Sequence, residues 1–153
     1  MEEVKKFIVA IMLLALAGVA TFYLKDYIDS ENPEYAIPQI EVTADTEVVA
    51  HMVTGYEWEF YNGRTASMSS MSWYDYEVES LTSTKVLGGE RLNIEFTMPA
   101  RAVMINRTND TDKGFIPADN ETTVPFEKGI YLYEVWAKFD KGWVMYYFKL
   151  LIE

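Results

Sequence analysis

The chain opens with an unbroken apolar run, passes through a polar stretch, and then settles into short alternating segments. After Lys5 and Lys6 comes FIVAIMLLALAGVATFYL, Phe7 to Leu24, 18 residues without a charge. A helix of this length spans about 27 Å, close to the hydrocarbon thickness of a bilayer. The run is apolar all round rather than along one stripe, which suits lipid better than a soluble core. Ala15-Leu16-Ala17 and Gly18-Val19-Ala20 offer the small-x-small pattern of a signal-peptidase site. Because the run continues to Leu24, a retained anchor is the favoured reading over a cleaved signal. Lys5 and Lys6 would then stay in the cytoplasm within residues 1–6, and the rest of the chain would face outward.

Residues 25–46 follow as an acidic stalk. The stretch 25–47 carries Pro33, Pro38 and seven carboxylates among few bulky residues, a composition that favours extended chain. Its IPQIEV end could add an edge strand. From Glu47 onward the period is two, and residues 47–153 read as one β domain. RLNIEFTM sets Leu92, Ile94, Phe96 and Met98 on one face against Asn93, Glu95 and Thr97 on the other. GYEWEFYNG alternates Tyr56, Trp58 and Phe60 with Glu57 and Glu59, and a further strand is expected at 73–79. Seven or eight strands with no amphipathic helix among them predict a two-sheet antiparallel Greek-key sandwich.

Two long strands, 130–139 and 143–152, end the chain. A two-residue Lys141-Gly142 loop would set Phe139 opposite Val144, Ala137 opposite Tyr146, Val135 opposite Phe148 and Glu134 opposite Lys149. One face of this hairpin suits a core. The other still presents Leu132, Trp136, Met145, Tyr147 and Leu151, too apolar for a solvated surface. Either the stalk or a loop covers that face, or it is a partner-contact surface of Leu132, Trp136, Met145 and Tyr147 with Trp136 as anchor.

KGIYLYEVWA places Tyr131 two residues before the core position Tyr133, the spacing of the tyrosine corner in immunoglobulin-like sandwiches. Gly129, Tyr131, Tyr133, Val135, Ala137 and Phe139, the Gly142 turn, and the terminal Tyr146, Phe148 and Lys149 resemble a pattern found in small secreted or membrane-anchored proteins of Gram-positive bacteria. The resemblance covers roughly two thirds of the chain, and Gly55, Tyr56 and Trp58 extend it with shifted spacing. It implies an immunoglobulin-like sandwich behind an anchor or signal, and no particular activity. Members of the group often carry a cysteine pair near the tryptophan. This chain has no cysteine, so a disulfide-based role is not carried over. VTGYEWEFYNG is also similar to the strand that opens the copper-binding domain of cytochrome oxidase subunit II. That resemblance brings no copper chemistry, since cysteine is absent and the single histidine, His51, precedes the motif.

Charge narrows the partners. The net charge is −11, which disfavours nucleic acid. Residues 26–79 hold 12 acidic side chains against Arg64 alone. Candidate metal ligands are His51, Met68 and Met71, soft donors suited to Cu(I), although methionines are more often packing. Asp110, Asp112, Asp119 and Glu121 could approach Ca²⁺, but their spacing misses the EF-hand loop. Asn106, Asn109 and Asn120 begin N-glycosylation triplets. No hydrolase, zincin or phosphate-loop motif is present, so no catalytic residue is assigned and no cofactor is expected. The sequence therefore predicts a single-pass membrane protein with a non-catalytic extracytoplasmic domain that docks a protein partner of the cell envelope. The alternative is a cupredoxin-like metal-handling or ligand-binding domain using the Met/His loop.

Overall fold

A computed structural model describes residues 2–72, 74–109, 114–119 and 122–153. Helix α1, Glu2–Glu31, contains the whole apolar run, with its apolar side chains exposed. It is long and apolar enough to cross a membrane. Among the described residues, ten strands in two sheets follow.

The residues read as a stalk are distributed over three elements. Lys25 to Glu31 complete α1. Pro33–Ala36 form a single turn, α2, with proline at the first position, where its missing N–H costs nothing. Ile40–Ala44 are strand β1, which buries Ile40, Val42 and Ala44 in alternation. This strand is the middle of the small sheet, between β2 (Glu47–Val48) and β6 (Leu92–Phe96). Asp45 makes the β1–β2 turn at φ 47°, a left-handed conformation that Asp tolerates. Its carboxylate accepts from the Arg91 N–H at 2.8 Å, which ties the turn to the start of β6.

The large sheet runs β4 (Thr65–Met68), β3 (His51–Glu59), β10 (Gly142–Ile152), β9 (Gly129–Phe139), β7 (Ala102–Asn109) and β8 (Ile116–Pro117). Strand β5 (Ser83–Val86) pairs in parallel with β10 from Lys149 to Ile152, where β3, paired only as far as Phe148, has ended. Eight strands of four or more residues match the sequence count, and the two-residue β2 and β8 are the additions. The terminal strand β10 lies inside its sheet, whereas the seven-strand immunoglobulin order leaves the last strand at an edge. The tyrosine-corner contact is nevertheless present: the Tyr131 hydroxyl donates to the Glu127 carbonyl at 3.1 Å.

Between the sheets lie Val42, Trp58, Tyr133, Val135, Ala137, Val144, Tyr146, Phe148 and Leu150, all buried. Tyr133 stacks on Phe148 at 4.7 Å, and Phe96 meets Phe139 edge-on at 5.9 Å. The Tyr146 hydroxyl donates to the Pro38 carbonyl at 2.6 Å, which satisfies a polar group that burial would otherwise penalise.

Two local expectations change. The β9–β10 loop is Asp140-Lys141, so Phe139 faces Gly142, Ala137 faces Val144 and Val135 faces Tyr146. Glu134 faces Tyr147 rather than Lys149. Gly142 belongs to the strand because β3 passes directly against it; a Cβ there would collide with the Glu57 carbonyl. Each pairing moves by two positions, so every side chain keeps its face. The strand expected at 73–79 is instead the helical turn α3, Tyr76–Glu79, opened by Asp75, whose carboxylate accepts from the Ser72 N–H. Local side-chain bonding of this kind favours turns over extended chain. Trp73 lies outside the described residues.

Candidate functional site

Pairing across β3, β10, β9 and β7 arranges the outer face of the large sheet in rows. Farthest from the β9–β10 loop are Leu151 and Ile130, followed by Lys149, Leu132 and Thr108. Next comes Met52, Tyr147, Glu134 and Asn106, then Gly55, Met145, Trp136 and Met104. Nearest the loop are Glu57, Trp143, Lys138 and Ala102. The four side chains read from sequence as a contact face thus share one face, in three adjacent rows.

Their surroundings differ. Leu132 and Tyr147, 7% and 2% exposed, form a second small core with Val78 of α3. Met52, Met71, Leu81, Phe115 and Met145 pack against it. Phe115 stacks on Tyr147 at 6.1 Å. The chain can cross here because Gly55 has no side chain: a Cβ at Gly55 would lie 2.7 Å from Ser70 Cα. The Met71 N–H then donates to the Thr54 carbonyl at 2.7 Å. The Lys149 ammonium closes the far rim by donating to the Glu79 carbonyl at 2.7 Å. Burial holds its pKa below the usual lysine range, with Glu79 pulling the other way.

Two polar side chains of the covered half converge on Glu134. The Tyr147 hydroxyl donates to Glu134 Oε2 at 2.9 Å, and Asn106 Nδ2 donates to Glu134 Oε1 at 3.0 Å. Burial, reinforced by the Glu134 carboxylate, raises the Tyr147 pKa above the ordinary tyrosine range. The Asn106 amide, one of the three glycosylation candidates, is thus engaged within the fold. Asn109 lies in β7, and Asn120 is outside the described residues.

Trp136 and Met145 are half-buried, and Met104 beside them is 46% exposed. Trp136 and Trp143 line a hollow of about 320 Å³ bordered by Glu57, Glu59 and Lys138. The sequence reading missed Met104 and Trp143 as neighbours of Trp136. Alternation in RAVMIN puts Met104 on the same face as Asn106, but only the β7–β9 register sets it beside Trp136.

The metal candidates do not converge. Met68 pairs with Tyr56, whose ring packs on the inter-sheet core, while Met71 belongs to the outer-face cluster. His51 pairs with Phe148, five residues along β3 from Tyr56, or about 16 Å at strand rise. Among the described residues no group of three His, Cys, Asp or Glu side chains could hold a metal ion. Asp110, Asp112 and Glu121 lie outside the described residues, and Asp119 accepts from the Ile105 N–H at 2.6 Å.

No family model matches this chain, no curated protein is detectably similar to it, and no solved structure matches its fold. The structure shows an apolar N-terminal helix ahead of a β-sheet body, which is compatible with the class suggested by the sequence.

Proposed function

We propose that this protein is a membrane-anchored, non-catalytic interaction module. In this reading α1 crosses the membrane, Lys5 and Lys6 stay in the cytoplasm, and the β domain faces the extracytoplasmic side. The surface that meets a protein partner is the half-open part of the outer face: Trp136, with Met145, Met104 and Trp143 around it. The single observation that carries the reading is that the chain covers Leu132 and Tyr147 with its own Met71, Val78 and Leu81 while Met104, next to Trp136, is left 46% exposed. A tryptophan set among methionines has the composition of an interface centre. Glu57 and Glu59 at its border favour a partner with an apolar ridge and a basic margin. Replacing Trp136 with serine tests this. A cooperative fold with loss of partner co-isolation from solubilised membranes is expected. Undiminished capture would sink the proposal, as would loss of cooperative unfolding.

A further inference from the structure

A second cavity, of about 650 Å³, lies between the end of α1 and the near end of the β domain. Phe22, Lys25 and Asp26 line it from the helix; Trp58, Met98 and Lys141 line it from the domain. The helix is fastened there. Asp26 is buried, and its carboxylate accepts from the Tyr61 and Asn62 N–H groups at 3.0 and 2.7 Å. Arg64 lies over the Tyr27 ring at 5.0 Å and pairs with Glu31. The rings of Phe22 and Tyr61 meet at 5.2 Å.

These contacts set the depth of the cavity. Phe22 is inside the uncharged run, and Asp26 is two residues past its end at Leu24, about 3 Å farther along the helix axis. The headgroup layer is about 5–8 Å thick on each side of the hydrocarbon. With α1 in a bilayer, the cavity therefore opens at the level of the lipid phosphates.

Its charges are selective too. The Lys25 ammonium donates to Asp29 at 2.6 Å, and Arg101 pairs with Asp140. Lys141 has no ion pair among the described residues; its Nζ lies over the Tyr61 ring, 2.7 Å from the centroid. Burial lowers its pKa, while Asp26 and Glu59 pull it partway back. An unpaired, partly dehydrated ammonium above apolar walls suits a phosphodiester that carries hydrocarbon.

We propose that this cavity binds a phospholipid of the surrounding bilayer, with the phosphodiester at Lys141 Nζ and the start of the acyl chains along Phe22 and Met98. The inference rests on the reading of α1 as a membrane anchor.

The absence of cysteine allows single nitroxide labels on the full-length chain. Labels at positions 16, 98 and 87 in phosphatidylcholine–phosphatidylglycerol vesicles report depth by power saturation. Position 16 should lie in hydrocarbon, 98 at headgroup depth and 87, at the far end of the domain, in water. Position 98 in water with 16 buried overturns the lipid site and leaves the anchor standing; position 16 in water overturns both. Occupancy is read by quantifying phospholipid retained on purified full-length protein. One lipid per chain is expected, with Lys141→Gln reducing retention about tenfold, the worth of one charge-assisted hydrogen bond. Ala100→Trp, which fills the cavity, should also abolish retention. Equal retention in wild type and Lys141→Gln, or Lys141-dependent binding of inorganic phosphate with no lipid retained, overturns the proposal.

Discussion

The two halves of the outer face carry the same kind of side chain and are treated differently. In the far half, Leu132 and Tyr147 lie under Met71, Val78 and Leu81, and the Tyr147 hydroxyl is bonded to Glu134, which also accepts from Asn106. In the near half, Met145, Trp136 and Met104 stand in one row across three strands and stay partly open. Apolar alternation on a strand shows that a face needs cover; it does not say whether the cover comes from the chain itself or from another molecule. The far half is a satellite core of this fold, and the near half is the part assigned to a partner.

Substitutions can break that comparison from either side. Tyr147→Ala should be the most damaging. It removes a buried aromatic beneath α3 and should cost about 3–5 kcal/mol in chemical unfolding. A cost below about 1 kcal/mol would mean that Met71, Val78 and Leu81 do not cover it in solution. Val78→Ala attacks the same core from the lid. Val78 is fully buried, so about 2 kcal/mol should be lost, with partner capture unchanged. Trp136→Ser should cost less than Tyr147→Ala, about 1–2 kcal/mol for a half-buried ring, yet abolish capture. If Trp136→Ser proves the more destabilising, the two halves have been assigned the wrong way round.

The smallest effect sharpens the comparison through pH. Burial raises the Tyr146 and Tyr147 pKa values above the tyrosine range. The native state then holds these protons at pH values where the unfolded chain loses them. Their contribution is complete below about pH 10, the unfolded value, and is lost as pH rises above it. Tyr147→Phe keeps the ring and removes the hydroxyl bonded to Glu134. It should cost about 1 kcal/mol at neutral pH and make the alkaline decline shallower. An unchanged alkaline slope would show that Tyr147 does not contribute to it.

Periodicity explains what was legible. Alternation puts Leu132, Trp136, Met145 and Tyr147 on one face in the expected register and in the observed one alike, because the two differ by two positions and such a shift preserves faces. The loop position is not legible in the pattern, since its cause is a non-local contact, Gly142 against β3. Pattern could not reveal the lid either. Residues 69–75 have no period, α3 is four residues long, and Val78 is the one buried position there among the described residues. The IPQIEV end reads as an edge strand within an acidic, proline-marked segment; that β1 instead sits between β2 and β6 depends on pairing with residues far along the chain, which local alternation of Ile40, Val42 and Ala44 does not show. Asp26 reads as an ordinary polar residue after an apolar run; its role depends on the backbone of Tyr61 and Asn62, 35 and 36 residues away.

The central claim is that the Trp136 row contacts a partner and the Tyr147 row does not. Photo-crosslinking in intact membranes tests it most directly, with the photoreactive residue placed at Met104 in one chain and at Val78 in another. The account predicts one discrete adduct from position 104, abolished when Trp136→Ser is added, and none from position 78. An adduct from 78 but not from 104, or an adduct from 104 that survives Trp136→Ser, would contradict it.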